Sequence, residues 1–176
     1  SQRLVVVLRE PGHRLFAAFW RVGCAEPEWD PEAPADAFHA YAERLVERFE
    51  SCMSTHHELA RCMHRSPWQR DELSLGIYAH LMQPWLSSFH RTQLLVVRAE
   101  AIDEARGRVF TEVGRVFAFL RMDEPTDWSP FFREYDHPQQ PSGGTECAAG
   151  RGQQPAMLDA TRRLLNSFYR PFNHEL

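Results

Sequence analysis

Residues Arg3-Leu4-Val5-Val6-Val7-Leu8 form an unbroken, β-branched apolar run. Such a run has no polar alternation and cannot offer one face to water, so it reads as a strand covered on both faces, as in a parallel sheet. A strand of that kind needs neighbours, and one other run is like it: Gln93-Leu94-Leu95-Val96-Val97-Arg98. Two strands alone make a poor sheet. The pair therefore predicts an α/β fold left incomplete by these residues: either the C-terminal portion of a larger α/β domain or a chain that pairs with another.

Between and after these runs the apolar residues fall at helical spacing. Arg9-Glu10-Pro11 turns the chain, Pro11 suits a first helical turn, and Leu15, Phe16, Phe19 and Trp20 follow. The stretch from Cys24 to Ala37, with Pro27, Pro31 and Pro34, reads as a surface loop. Phe38, Tyr41, Leu45, Phe49 and Cys52 then stripe one face of a strong amphipathic helix, whose continuation runs to Cys62. A further stripe, Ile77, Tyr78, Leu81, Trp85, Leu86 and Phe89, contains Pro84, which predicts a kink or a boundary. After the second strand comes a helix with Val109, Phe110, Val113, Val116, Phe117 and Leu120. Residues 123–155 are rich in Pro, Gly, Gln and Asp and read as a long irregular segment. The last helix carries Met157, Leu158, Leu164, Leu165 and Phe168. At 176 residues the chain suits one domain or part of one, and no apolar run approaches the roughly 20 residues of a membrane span.

Charge narrows the chemistry. Lys+Arg 20 against Asp+Glu 24 gives a net charge of -4, which excludes a generic polyanion binder such as a nucleic-acid protein. Every basic residue among these is arginine, because the sequence contains no lysine. Arg9 stands where a buried strand gives way to a helix, the place where open α/β sheets bind ligands and where helix N–H groups favour anions. Its guanidinium can grip two phosphate oxygens at once; the plain alternative is a structural pairing with Glu10 or another carboxylate. The loop Gly143-Gly144-Thr145-Glu146-Cys147-Ala148-Ala149-Gly150-Arg151-Gly152 either lets backbone and Arg151 approach a ligand or is a connector. It lacks the Gly-Lys-Ser/Thr of a Walker loop. Cys52, His56, His57, Cys62 and His64 admit three readings: a zinc site of uncommon spacing, a disulfide, or reduced thiols. Glu100, Asp103 and His13 are acid or base candidates by type, but no nucleophile, base and acid set emerges, and the catalytic residues stay unknown.

Recognition adds to this. The segment Arg9-Glu10-Pro11-Gly12-His13-Arg14-Leu15-Phe16-Ala17 resembles the R-x-P-x-x-R-x-x-S segment of Golgi carbohydrate sulfotransferases, with Ala17 in the serine position. The resemblance continues through Phe49-Glu50-Ser51-Cys52-Met53, Arg61-Cys62, Gly76-Ile77-Tyr78 with Trp85-Leu86, the strand from Leu94 to Glu100, and Phe168-Tyr169-Arg170-Pro171-Phe172-Asn173. It runs over nearly the whole chain and is nearest to the N-acetylgalactosamine 4-sulfate 6-O-sulfotransferase branch.

The resemblance implies a P-loop-like sulfotransferase fold of parallel strands and helices, of which residues 1–176 are the C-terminal part of one domain and 123–155 a nucleotide-side loop. It implies 3'-phosphoadenylyl sulfate as co-substrate, no metal, and a glycan acceptor such as a glycosaminoglycan. Arg9 and the Ala17 position fall on the 3'-phosphate side of the donor site, and Gly150, Arg151 and Gly152 fall on the loop that closes over the nucleotide. It implies a Golgi-lumenal setting with any membrane anchor upstream, and there a Cys52–Cys62 disulfide, with Cys24 and Cys147 unassigned. In the family the loop for the 5'-phosphosulfate, its lysine and the usual acid/base precede the strand that carries Arg9, so these residues alone are expected to be weakly active or inactive. The competing expectation is a degenerate nucleotide-binding or interaction module, favoured by Ala17 and the lack of lysine. A zinc module built on Cys52 and Cys62 is a third.

Overall fold

The computed structural model describes residues 2–22, 26–66, 69–70, 72–103, 111–125 and 156–174. Two compact units share the chain: one holds residues 1–9 and 88–145, the other 10–87 and 146–176.

In the first unit β1 (Leu4–Leu8) pairs in parallel with β2 (Leu94–Arg98), with Leu4 opposite Leu94 and Leu8 opposite Arg98. The two β-branched runs thus find each other, as their composition predicts. Val97 is buried, yet Val7 is 54% and Val96 42% exposed, so the described residues do not cover both faces of the pair. The mixture of helices with a small parallel sheet fits the α/β class. A 3-10 turn, Arg91–Gln93, leads into β2, capped by His90, whose Nδ1 accepts from Thr92 N–H while Gln93 Oε1 accepts from His90 N–H. Beyond β2 come α5 (Ala99–Asp103) and α6 (Thr111–Leu120). Arg3 donates to the Phe119 carbonyl and lies over the Phe119 ring, joining the start of β1 to the end of α6.

The second unit is helical. It comprises α1 (Pro11–Val22), α2 (Pro34–His56), the short α3 (Leu59–Cys62), a small antiparallel hairpin of β3 (His64–Ser66) and β4 (Gln69–Arg70), a 3-10 turn at Ser74–Gly76, α4 (Tyr78–Ser88) and α7 (Asp159–Asn173). The numbering of α4 to α6 follows the chain across both units. The core is aromatic. Leu15, Phe16 and Phe19 of α1 meet Phe38 and Tyr41 of α2, with ring centroids 4.7 Å apart for Phe16–Phe38 and 4.8 Å for Phe19–Tyr41. Phe49 of α2 meets Phe168 and Phe172 of α7 edge to face at 5.1 and 5.8 Å. Burying such rings is the largest favourable contribution available to a unit this small.

Polar contacts fix the register of that core. Thr161, fully buried in the first turn of α7, shares a 2.9 Å hydrogen bond with His39 Nδ1 on α2, and His39 Nε2 lies 3.4 Å from Glu43. Arg44 grips Glu26 at 2.7 Å and also Glu28, fastening the segment before α2 to the helix and lying over Tyr41. Burial pushes the Glu28 carboxyl up, but the Arg44 hydrogen bond and charge outweigh it and hold it below the usual carboxylate range.

Two expectations from the sequence are corrected, and one of the two alternatives for Pro84 is excluded. The loop expected to Ala37 ends sooner, because Pro34 occupies the first turn of α2 as prolines can. The helix expected to run on to Cys62 stops at His57, which takes a left-handed conformation (φ 52°) and reverses the chain into α3. Pro84 is no boundary, since α4 runs through it to Ser88.

Candidate functional site

Parallel pairing brings the carboxyl ends of β1 and β2 side by side, and that edge is where open α/β sheets hold ligands. Arg9 follows Leu8 there and is exposed. Arg98 is the last residue of β2, stands opposite Leu8 in the register and is also exposed. Glu100, half-buried, is in the first turn of α5, and Asp103 is the last residue of that helix. Among the described side chains this edge of the first unit therefore carries two guanidiniums and the Glu100 carboxylate. In the sequence Arg9, Glu100 and Asp103 stand out as candidates, whereas Arg98 stands out only as a strand terminus. The signal for Arg98 was its position at the end of the second β-branched run.

The start of α1, in the second unit, has its own anion. Glu10 turns its carboxylate back on the helix and accepts from Gly12 N–H at 3.0 Å and His13 N–H at 2.6 Å. The first free N–H groups of α1, a natural seat for a phosphate, are thus already capped. His13 lies 3.7 Å from Glu10 and accepts at Nε2 from Arg162 of α7 at 3.3 Å. Ala17 is half-buried on α1.

Arg14, the second arginine of the motif, is a strut. It donates to the Glu72 carbonyl and, at 3.3 Å, to the Glu72 carboxylate. The next carbonyl, that of Leu73, accepts from the buried Tyr169 hydroxyl of α7 at 2.7 Å. Gly76 closes the knot: a Cβ there would come within 2.6 Å of the Tyr169 ring. Burial raises the Tyr169 phenol far above its usual range, against the opposing charge of Arg14. Three pieces of the recognised signature, from R-x-P-x-x-R, G-I-Y and F-Y-R-P-F-N, thus converge on one packing knot, and Phe49, Phe168 and Phe172 supply the adjoining rings.

The fourth piece is covalent. Cys52 and Cys62 form a disulfide with Cα atoms 5.6 Å apart, clipping α3 back onto α2. The zinc reading on these two cysteines falls for that reason, since disulfide sulfurs are not thiolate ligands. No group of three or more His, Cys, Asp or Glu able to hold a metal occurs among the described residues. Gly150, Arg151 and Gly152, and likewise Cys24 and Cys147, lie outside the described residues. Among the described residues no helix is long and apolar enough to cross a membrane.

Comparison with known proteins fits this picture. No family model matches the chain. Curated proteins that match it are carbohydrate sulfotransferases, the family and branch that the sequence motifs resemble. Carbohydrate sulfotransferase 15 of Homo sapiens is 29% identical over 179 residues, covering 100% of this chain. The proteins of the same name from Mus musculus and Rattus norvegicus are each 28% identical over 177 residues, covering 99% of it. The chain spans 29% of the length of these relatives.

Proposed function

We propose that this chain is part of a sulfotransferase that moves a sulfuryl group from 3'-phosphoadenylyl sulfate to a glycan hydroxyl, and that it carries the 3'-phosphate side of the donor site. In that reaction the sulfur's bond to the bridging phosphate oxygen breaks as its bond to the glycan oxygen forms. The hydroxyl proton leaves to a base, and adenosine 3',5'-bisphosphate is released. Such a transfer depends on positioning and on cations set against the charge that develops on the leaving oxygen. Arg9 is the residue we assign to the phosphate, through two parallel charge-assisted hydrogen bonds. The fold that goes with this reading is P-loop-like, and the compartment is the Golgi lumen, an oxidising setting that suits the Cys52–Cys62 disulfide.

The observation that carries the reading is the likeness to carbohydrate sulfotransferase 15 along the full chain, which includes the strand that leads to Arg9. A second reading, a nucleotide-binding or interaction module without turnover, draws on Ala17 in the serine position and on a sequence without lysine. Titration calorimetry with adenosine 3',5'-bisphosphate tests the donor site. Saturable binding that Arg9→Ala weakens by about tenfold or more is the expected result, the scale of a lost charge-assisted contact. No binding by a folded sample refutes it. Because these residues alone are expected to bind nucleotide with little turnover on either reading, a sulfate-transfer assay on the longer protein of which we propose this chain is part separates the two.

A further inference from the structure

We propose that Arg98 is a second oxyanion-binding residue, acting with Arg9 at the carboxyl edge of the β1–β2 sheet, and that its ligand is a phosphate of the donor nucleotide. This assignment rests on the donor-site reading above and adds a residue to it. The register sets Arg98 directly opposite Leu8. At the roughly 5 Å spacing of neighbouring strands, the backbone of Arg98 is one strand-width from the residue preceding Arg9. Both strands run the same way, so both arginines stand where the parallel pair ends and its ligand edge begins.

Exposure alone decides nothing, because solitary arginines are common on surfaces. The pairing pattern decides more. Arg3, Arg14, Arg44 and Arg115 each hold a carbonyl or a carboxylate, whereas Arg98 has no hydrogen-bond or ion-pair partner among the described residues. Its five N–H donors are taken by no described residue, and their forked geometry matches two phosphate oxygens. With no lysine in the sequence, cationic contacts to a phosphate here fall to arginine. Among the described side chains the opposing charge at this edge is Glu100, half-buried at the start of α5, and Glu100 and Arg9 each already have an interaction of their own. One guanidinium beside one carboxylate would leave little net attraction for a dianion; two restore it.

The test is calorimetric, on the full chain. Adenosine 3',5'-bisphosphate is titrated into the unaltered protein, Arg98→Ala, Arg98→Lys and, as a control, Arg115→Ala, whose guanidinium is exposed in the same unit and held by Glu112. A sulfated disaccharide titrated in parallel distinguishes a phosphate ligand from a sulfate carried by an acceptor. The expected result is a loss of nucleotide affinity of about tenfold in Arg98→Ala, partial rescue in Arg98→Lys, and no change in Arg115→Ala or in any thermal midpoint. Nucleotide affinity within twofold of the unaltered protein in Arg98→Ala overturns the assignment, and so does a loss confined to the disaccharide. If the unaltered, folded protein binds no nucleotide, the donor-site reading itself fails and the assignment falls with it.

Discussion

Replacing Gly76 by alanine is the sharpest test of the packing knot, because two considerations predict opposite signs. Gly76 does not need a left-handed backbone, so alanine is conformationally permitted there and, by restricting the unfolded chain, would stabilise by about 0.4–1 kcal/mol. Against that, the new Cβ would lie 2.6 Å from Tyr169 Cε1, 2.7 Å from Cζ and 2.8 Å from the hydroxyl oxygen, where carbon contacts normally sit at about 3.5–4.0 Å. The ring cannot simply retreat. It is 3% exposed, packs edge to face on Phe168 at 5.0 Å, and is tied by its hydroxyl to the Leu73 carbonyl. Overpacking of this kind costs about 1–3 kcal/mol, and a buried carbonyl that loses its donor costs about 1–3 more. The clash wins, for a net destabilisation of about 1–5 kcal/mol once the entropic gain is subtracted. Urea unfolding followed by circular dichroism measures it, as a lower midpoint at unchanged slope. Repeating the substitution in a Tyr169→Leu background should remove most of the penalty. A Gly76→Ala protein as stable as the parent, or a penalty undiminished without the tyrosine ring, would refute the reasoning.

Replacing both Cys52 and Cys62 by alanine should lower stability by about 2.7 kcal/mol, the loop-closure value for a separation of 10 residues, read as a drop in the urea midpoint that reducing agent reproduces only in the parent protein. At alkaline pH, burial, followed by the charges of Glu26 and Glu72, pushes the Tyr41 phenol up to about 12, and burial raises Tyr169 further. Because both groups are held neutral in the folded state, the stability they contribute is complete below the ordinary phenol range. It is lost as pH climbs from about 10 through about 12. Near-ultraviolet titration should therefore show Tyr41 and Tyr169 ionising only as the helical signal collapses; ionisation of every phenol in still-folded protein near pH 10 would contradict it.

Legibility in the sequence followed the physics of each element. The β-branched runs announced β1 and β2 because apolar continuity without alternation suits few other structures, and the incomplete covering of Val7 and Val96 follows from there being only two of them among the described residues. The stripes of α1, α2 and α7 were readable because one face of each is buried. What escaped was short or set by tertiary contact. The β3–β4 hairpin and the 3-10 turn at Ser74–Gly76 carry no periodicity of their own, and the turn is held by Arg14 and Tyr169 from distant positions. The end of α2 escaped because His57, not glycine, takes the left-handed position there. At the candidate site, Arg9 was visible as the residue after a strand. Arg98 was visible only as the end of a strand, because its relation to Arg9 exists only once the strands pair.

The second unit is written in two pieces, with residues 88–145 of the first unit placed between them. A chain emerging from the ribosome therefore makes α1 and α2 long before the partner of their shared face exists. Phe49 meets Phe168, about 120 positions later, and at roughly 5–20 residues per second that is a wait on the order of ten seconds. Throughout it, Leu45, Phe49 and their neighbours lie open to chaperones and to other nascent chains. The Cys52–Cys62 bridge, between residues made within moments of each other, can close inside that interval and give the waiting half a fixed edge. Truncation anywhere before α7 would leave the same surface uncovered for good, so shortened products of this chain should aggregate or be degraded.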